Sequence, residues 1–553
     1  MELDKSSMLA AQRRVWVLAM IPVAVAALPP LLRLVLGPYY LSLDFDPDYQ
    51  YLMNGLNVLR LRSPDHTDHP GTPVQVLAGF VTGIGWLTGL VFSSKSSLQQ
   101  SVLTNPEHYL ILINSTFGVF NGLALYVLGT KLYKESGAVI VALIAQLSIL
   151  LSVGAVHAFT RVSPEPLLVA STLLLASLLV PFVFGQPDHA RPYEAEAIGG
   201  VLGLGLAIKV TTLPLFACIA LLPSWGARLR ALAASIVALI FFTLPIAKHY
   251  GRTFWWFQSV ASKQSRELGV DASNQGLERL VGRLGQLAAS EPALFVCLGL
   301  SLILVLVLTP SRRRPGLAGF YRLLLVGVLV SGAQVALVAT TPLPEARYLL
   351  PAVTFLGLVN AGIAGLALRA VDAGPRAVWP FVLVIAPMLA GVFHSVYEVA
   401  SWLASASRFR MATAALDRQL TSSDCTIIYY YGAPNLAFDL QFGIEWADPR
   451  YRSQLEQLYP SLLTYNPWGG YHTVPNRFAI AGRYLDNSKI RNILSRSSCV
   501  DLVGRPVKNY AGTPIQRLPL DKVTTGLEPS LAKKVEVYRL RRDSKGEYDL
   551  DEH

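Results

Sequence analysis

Val15–Leu36 reads VWVLAMIPVAVAALPPLLRLVL, an apolar run broken by one charge, Arg33. About 20 such residues wound as a helix cross a hydrocarbon core of roughly 30 Å. Blocks of the same kind recur at Val139–His157, Leu323–Ala339 and Val378–Phe393. Of the 553 residues, 52% are hydrophobic and only 15% are charged, against about 25% charged in a soluble domain. The composition excludes an ordinary soluble protein and predicts a polytopic membrane protein. The first block is long for a signal-peptide core, contains Arg33, and is followed by no small-residue cleavage site, so it reads as a retained anchor.

Spans are expected near 15–36, 108–130, 137–157, 165–184, 196–208, 210–224, 230–247, 292–309, 323–340, 348–368 and 378–395, about 11 transmembrane helices in all. Val74–Phe92 is apolar too, but it carries Gly79, Gly83, Gly85 and Gly89 and follows a polar loop. It reads as an interfacial or re-entrant helix. The formal charge is +11. In a soluble chain that balance would suggest nucleic acid. Here Lys and Arg gather in short loops, so it reads as topology under the positive-inside rule. With the N-terminus inside, Lys131, Lys134 and Arg312–Arg314 fall inside; counting Val74–Phe92 as a span would move them outside. Residues 38–107, 158–164, 248–291, 341–347 and the tail from about 396 then lie outside.

This organisation predicts an all-α polytopic membrane domain over 1–395, with a first outer loop at 38–107, and a C-terminal extracytoplasmic domain over 396–553. The tail opens on an amphipathic stretch, Ser401–Leu420. It continues with strand-like runs at Thr426–Tyr431, Phe478–Ala481, Val500–Val503 and Val535–Leu540, separated by Pro, Gly and Asn. A small mixed α/β domain is expected. Cys218 and Cys297 lie in apolar blocks. Cys425 and Cys499 lie in the tail, where an oxidising compartment would allow a disulfide and a reducing one two thiols. No metal-binding spacing of cysteines is present.

Polar residues of unusual type fall on the outer side. Asp44, Asp46 and Asp48 alternate directly after the first span, before Tyr49 and Tyr51. Crowded carboxylates repel, which suits a general base; they could equally hold a divalent cation, or be helix caps in a solvated loop. Ser63–Pro73 carries two Asp-His pairs, Asp65-His66 and Asp68-His69, before the turn Pro70-Gly71-Thr72-Pro73. Arg161 with Glu165, Lys209, and Glu345 with Arg347 and Tyr348 sit at span boundaries. Such charges can snorkel, but boundary cations converging on one side suit a phosphate. Phe254-Trp255-Trp256-Phe257 suits an interfacial belt or a stacking surface. Tyr429–Tyr431 and Asn466–His472 suit either a carbohydrate-binding face or a packed core with a loop.

Four motifs in order carry a resemblance: Asp46-Pro47-Asp48-Tyr49 after the first span, His69-Pro70-Gly71-Thr72-Pro73 before an interfacial helix, Gly203–Lys209 at the start of a short span, and Arg347–Pro351 at a late one. Over about residues 10–370 the chain resembles the GT-C membrane glycosyltransferases, in particular bacterial relatives of protein O-mannosyltransferases and of the lipid A aminoarabinose transferase. The resemblance implies a GT-C-like fold in a plasma (inner) membrane, with the C-terminal domain periplasmic or extracellular. It implies inverting transfer of a sugar from a polyprenyl-phosphate donor to a hydroxyl of a glycan, lipid or protein. Asp48 or Asp46 would be the catalytic base. Lys209, Arg347 and Arg161 would bind the donor phosphate, and Asp44, His69, Asp68, Glu165, Glu345 and Tyr348 would line the substrate site. The pattern departs from the family's where Asp-Pro-Asp replaces a carboxylate pair and His-Pro-Gly replaces His-Pro-Pro. No cofactor is required, a divalent cation is compatible, and nucleic acid is not a partner. The alternative is a transporter or flippase for a lipid-linked or anionic solute, which the broken apolar segment 196–224 would also suit.

Overall fold

The computed structural model describes residues 5–41, 47–68, 71–89, 97–185, 193–261, 277–311, 317–341, 345–371, 378–430, 432–466, 477–485, 487–505, 520–523 and 535–540. Asp44, Asp46, His69, Arg312–Arg314, Tyr431 and residues 467–472 lie outside them. Among the described residues the membrane region begins with α1 Lys5–Leu36, α2 Asp48–Leu59, α3 Thr72–Leu87, α4 Leu98–Thr104 and α5 Pro106–Ser136. It continues with α6 Val139–Leu147, α7 Val153–Ala158, α8 Pro164–Phe184, α9 Glu194–Ile208, α10 Trp225–Thr243 and α11 Tyr250–Ala261. It closes with α12 Leu277–Ser290, α13 Pro292–Leu308, α14 Ala318–Ala339, α15 Leu350–Val371 and α16 Val378–Thr421.

Among the described residues six helical stretches are long and apolar enough to cross a membrane: Trp16–Leu36, Pro106–Ser136, Pro164–Phe184, Trp225–Gln258, Ala318–Ala339 and Ala346–Arg369. A seventh counts if Leu280–Ser290 and Pro292–Leu308, bent by 103°, form one broken span. The protein is therefore multi-pass. Three segments expected as apolar elements are short. Thr72–Leu87 is a single helix of 16 residues, about 24 Å long at 1.5 Å per residue. The 137–157 block breaks at Ser152 between a stretch ending at Leu151 and α7. Val210–Leu221 is wound as a 3₁₀ helix around Pro214, which stretches 12 residues to about 24 Å. The last apolar block and the amphipathic Ser401–Leu420 stretch, read separately from the sequence, are one helix of 44 residues, α16.

The chain forms two compact units. One comprises Met1–Pro30, Thr67–Val74 and Asn114–Ala400; the other comprises Leu31–His66, Gln75–Ile113 and Ser401–His553. In the first, glycines let helices touch backbone to backbone, as membrane helices require when apolar burial offers no drive for association. Gly199 and Gly203, one turn apart on α9, lie against Ala231 and Ser235 of α10, where an added Cβ would come within 2.0 and 2.2 Å of the two carbonyl oxygens. Gln146 of α6 is a buried polar tie, donating to Leu18 O at 3.0 Å and Leu125 O at 3.3 Å. Leu229, Ile236, Val237, Ile240 and Phe241 of α10 face outward, as a helix solvated by lipid should.

In the second unit, α2 and α3 meet at Gly55 and Gly79. Among the described residues the tail forms a mixed sheet of seven strands: β1 Thr426–Tyr430, β2 Leu463–Asn466, β3 Arg477–Ile480, β4 Arg483–Tyr484, β5 Val500–Gly504, β6 Leu520–Val523 and β7 Glu536–Leu540, ordered β4-β3-β2-β1-β5-β7-β6. Parallel neighbours need crossover connections. Here α17 Leu436–Glu445 and α18 Arg452–Leu458 connect β1 to β2, and α19 Asn487–Ser495 leads into β5. Strand β1 is central, parallel to both β2 and β5. Its side chains alternate: Ile428 and Tyr430 pack with Leu463, Ile490 and Leu502, whereas Ile427 and Tyr429 pack with Phe409, Leu416 and Leu420 of α16. The amphipathic stretch thus covers one face of the sheet.

Thr426 pairs with Val500, so the preceding residues, Cys425 and Cys499, stand side by side with Cα atoms 4.5 Å apart and are joined as a disulfide closing 74 residues. A loop of that length corresponds to about 4 kcal/mol of denatured-state entropy. Changing both cysteines to serine is expected to lower the stability of the tail by roughly that amount, read as earlier thermal unfolding and faster proteolysis within 425–499. Unchanged unfolding would show that the bond does not constrain this fold.

Candidate functional site

The first unit gathers a charged centre where helices break. Lys209 ends α9 and begins the 3₁₀ helix, with extended backbone (φ −162°, ψ 137°). Glycine allows the chain to close up across the break: Gly205 lies against the Thr212 side chain, where a Cβ would come within 2.5 Å of it. Lys209 does not snorkel. Its ammonium meets Glu165 Oε1 at 2.5 Å, with both side chains 4% exposed. Glu165 stands in the first turn of α8 behind Pro164, where helix amide groups favour a carboxylate. The Lys209 ammonium also lies 4.6 Å from the centre of the Tyr348 ring, and the Arg347 guanidinium 5.3 Å from the same ring. Arg347 pairs with Glu345, and each is about 40% exposed. Tyr348 is held by its own carbonyl, which accepts from Gln334 Nε2 at 2.7 Å.

The sequence reading singled out Lys209, Glu165, Glu345, Arg347 and Tyr348, and the structure brings them together. Arg161 is half-buried in the turn before α8, and Asp68 is half-buried in the loop before α3. Two ties near the segment carrying Arg347 were missed by sequence reasoning. Arg283 of α12 donates to Ala339 O at 3.1 Å and Thr341 O at 2.9 Å. Glu291, at the α12–α13 bend, is buried and accepts from Ser152 Oγ at 2.8 Å and Gly154 N at 3.1 Å. A Cβ on Gly154 would meet the Glu291 carboxylate at 2.8 Å and the Ala346 carbonyl carbon at 3.8 Å. Glu291 was hidden at the end of the outer segment 248–291; its signal was a lone carboxylate directly before Pro292 and an apolar block.

The second unit gathers carboxylates around a phenol. Asp48 opens α2 behind Pro47 and is fully buried. Next to it, Tyr49 donates its hydroxyl hydrogen to Glu107 of α5. The other Glu107 oxygen accepts from Tyr39 N at 2.6 Å. Arg33 lies over the Tyr39 ring at 3.8 Å and donates to Gly37 O at 3.2 Å. Burial first, then the charges of Glu107, Asp439 and Asp48, hold the Tyr49 phenol well above its ordinary pKa near 10. Tyr49 is therefore a hydrogen donor near neutral pH and no base. The loop after α2 is pinned by Asn54 Oδ1, which accepts from Asp65 N at 2.8 Å, and by Gln75 Nε2, which donates to His66 O at 2.6 Å. His66 stands edge-on to Tyr51 and Trp446 at 5.4 and 5.7 Å. Glu107 and Asp439 were missed. Glu107 had a sequence signal, as an acid in the first turn of a span; Asp439 had none. Among the described residues no group of three or more His, Cys, Asp or Glu is arranged to hold a metal ion.

No family model matches the chain, and no curated protein matches it. Among solved structures the chain is similar to ArnT from Cupriavidus metallidurans bound to undecaprenyl phosphate, at 14% identity over 95% of this chain and 98% of that one, with a TM-score of 0.47. It is similar to the apo state of the same protein at 13% identity over 96% and 98%, again at 0.47.

The buried pair is testable without a substrate. Removing one member strands the other charge, at a cost of about 3–5 kcal/mol, whereas replacing both by apolar groups is near neutral. Lys209→Met and Glu165→Leu are each expected to lower the thermal stability of the purified protein, and the joint variant to recover most of the loss. Additive losses in the joint variant would show that the two residues do not stabilise each other.

Proposed function

We propose that this protein is an integral membrane glycosyltransferase that moves a sugar from a polyprenyl-phosphate donor to an acceptor hydroxyl at the outer membrane face, with inversion. The donor lipid is of the class bound in that ArnT structure. The observation that carries the reading is the pair of cations on one tyrosine ring, Lys209 buried and Arg347 half-exposed, at helix breaks within an apolar unit. Such a centre suits an anionic headgroup whose tail is apolar.

In this reading the Asp48 carboxylate takes the proton of the acceptor hydroxyl. The acceptor oxygen forms its bond to the anomeric carbon on the face opposite the phosphate, and the bond from that carbon to the phosphate oxygen breaks. Polyprenyl phosphate leaves, and Arg347 with Lys209 stabilises its growing charge, the term that most often dominates such catalysis. Arg161 is a further phosphate contact, and Glu345, Glu165, Tyr348 and Asp68 belong to the substrate surroundings. Asp44, Asp46 and His69 are retained as substrate or base candidates from the sequence. No cofactor is required.

The reading includes eleven crossings, an N-terminus inside and a tail outside. The Cys425–Cys499 disulfide supports the last point, because such bonds persist outside the reducing cytoplasm. Reporter fusions at residues 100 and 400 are expected to read outside; an inside signal at 400 would mean twelve spans. For the reaction, the purified protein with polyprenyl-phosphate sugar and a panel of acceptor alcohols is expected to form glycoside. Asp48→Asn should lower kcat by about 10²–10⁴ with little change in donor KM. Arg347→Ala should weaken donor binding about tenfold or more. Undiminished transfer by Asp48→Asn removes the assignment of the base.

The extended break at Lys209 also suits a flippase, since interrupted helices bind solutes in transporters. Lipid movement across vesicles without glycoside formation would decide for that reading.

A further inference from the structure

Helix α17 of the tail is fitted to α2. Asn54 Nδ2 donates to Trp446 O at 3.1 Å, Asn57 Nδ2 donates to Ala447 O at 3.2 Å, and Tyr451 Oη donates to Asn57 Oδ1 at 2.8 Å. Arg62 pairs with Asp448 at 3.0 Å. These ties hold the C-terminal half of α2. At the other half the two backbones nearly touch: a Cβ on Gly443 would lie 2.7 Å from Tyr49 O and 3.0 Å from Tyr49 Cβ. Residues four apart share a helix face, so Asp439 stands on the face that Gly443 presents to Tyr49. Asp439 is fully buried, in the first turn of a helix capped by Asn435. Its charge acts on the Tyr49 phenol together with those of Glu107 and Asp48.

We propose that α17 is the positioning element of the Asp48 site: Gly443 sets how closely the tail approaches the start of α2, and Asp439 supplies a second carboxylate charge that governs proton uptake there. The tail is then a working part of the acceptor-activating apparatus. This rests on the reading of Asp48 as the base. Among the described residues, the charged and titratable groups linked to it or to its neighbours are Tyr49 itself, Glu107 from α5 and Asp439 from α17, with Arg33 from α1 and Tyr40 acting with Glu107, and Asp417 of α16 with Tyr40. A neighbouring carboxylate favours the protonated form of a carboxyl group and so makes a stronger base. The close approach has a cost within α17, because glycine at 443 gives up helix propensity relative to alanine.

The test uses the full chain in lipid nanodiscs, a polyprenyl-phosphate sugar and one accepted alcohol. Asp439→Asn is expected to move the acidic limb of the kcat–pH profile to lower pH by on the order of one unit, with donor KM within about twofold of wild type. Asp439→Glu, which keeps the charge, is expected to keep the wild-type limb. Gly443→Val is expected to lower kcat about tenfold or more with donor KM unchanged and the disulfide intact. An acidic limb that stays in place in Asp439→Asn, or wild-type kcat in Gly443→Val, overturns the proposal. Asp48→Asn is run beside them. Full activity there overturns the reading of Asp48 itself, whatever the tail variants do, and the two failures are thereby told apart.

Discussion

The membrane unit depends on one electrostatic constraint: a charge that leaves water must find its partner inside the protein. Lys209 and Glu165 meet that constraint together, each almost completely buried. An isolated ammonium in that place would lose several kcal/mol of hydration with nothing in return. The pair therefore specifies how three elements meet, because the lysine comes from the α9 break, the carboxylate from the start of α8, and the ring beside them from the segment before α15. The close approach of α9 and α10 through Gly199 and Gly203 holds the helix that the break interrupts.

A second form of the same constraint governs the other unit. Burying Asp48, Glu107 and Asp439 near one another would be prohibitive if all were charged and unsupported. Glu107 is supported by Tyr49, by the Tyr39 amide and by the charge of Arg33. Arg33 is the one charge in Val15–Leu36, and its position near the end of the first apolar helix becomes intelligible once Glu107 is in view. Stability gained from Asp448 has a defined pH window. Burial works against its ionisation, but hydrogen bonds from Arg450 and the charge of Arg62 outweigh burial and hold its carboxyl below the ordinary range. That contribution is present above the ordinary carboxylate pKa and is lost as pH falls through the lowered one.

What could be read in the sequence divides by the range of the interaction that produces it. Apolar length and alternation are local, so Val15–Leu36, the α5 and α8 blocks, and the β1, β3, β5 and β7 strands were legible with near-correct bounds. The boundary residues Lys209, Glu165, Glu345, Arg347 and Tyr348 were legible because charge at the edge of an apolar block is rare. That Lys209 is paired directly with Glu165 was not, since 44 residues separate the two and only packing joins them. Asp439 and Gly443 were illegible for the same reason: on their own helix they are an ordinary acid and an ordinary glycine. Helix continuity was also misjudged at α16, where the pattern changes from apolar to amphipathic while the backbone continues unbroken.

If a phosphate is the ligand, energetics decide which cation meets it first. The centre already holds two cations against two carboxylates, so an arriving phosphate must draw a cation away from its present partner. Glu345 and Arg347 are each about 40% exposed, and a pair in that setting is worth at most about 1 kcal/mol. Exchange of Glu345 for phosphate is therefore cheap and gains a planar, bidentate donor. Lys209 and Glu165 are the reverse case: separating them costs several kcal/mol, more than a single new contact returns. Arg347 is then the hand that takes the ligand. In the proposed reaction Lys209 keeps its counterion and adds its charge to that of Arg347 from beside the Tyr348 ring that both cations share.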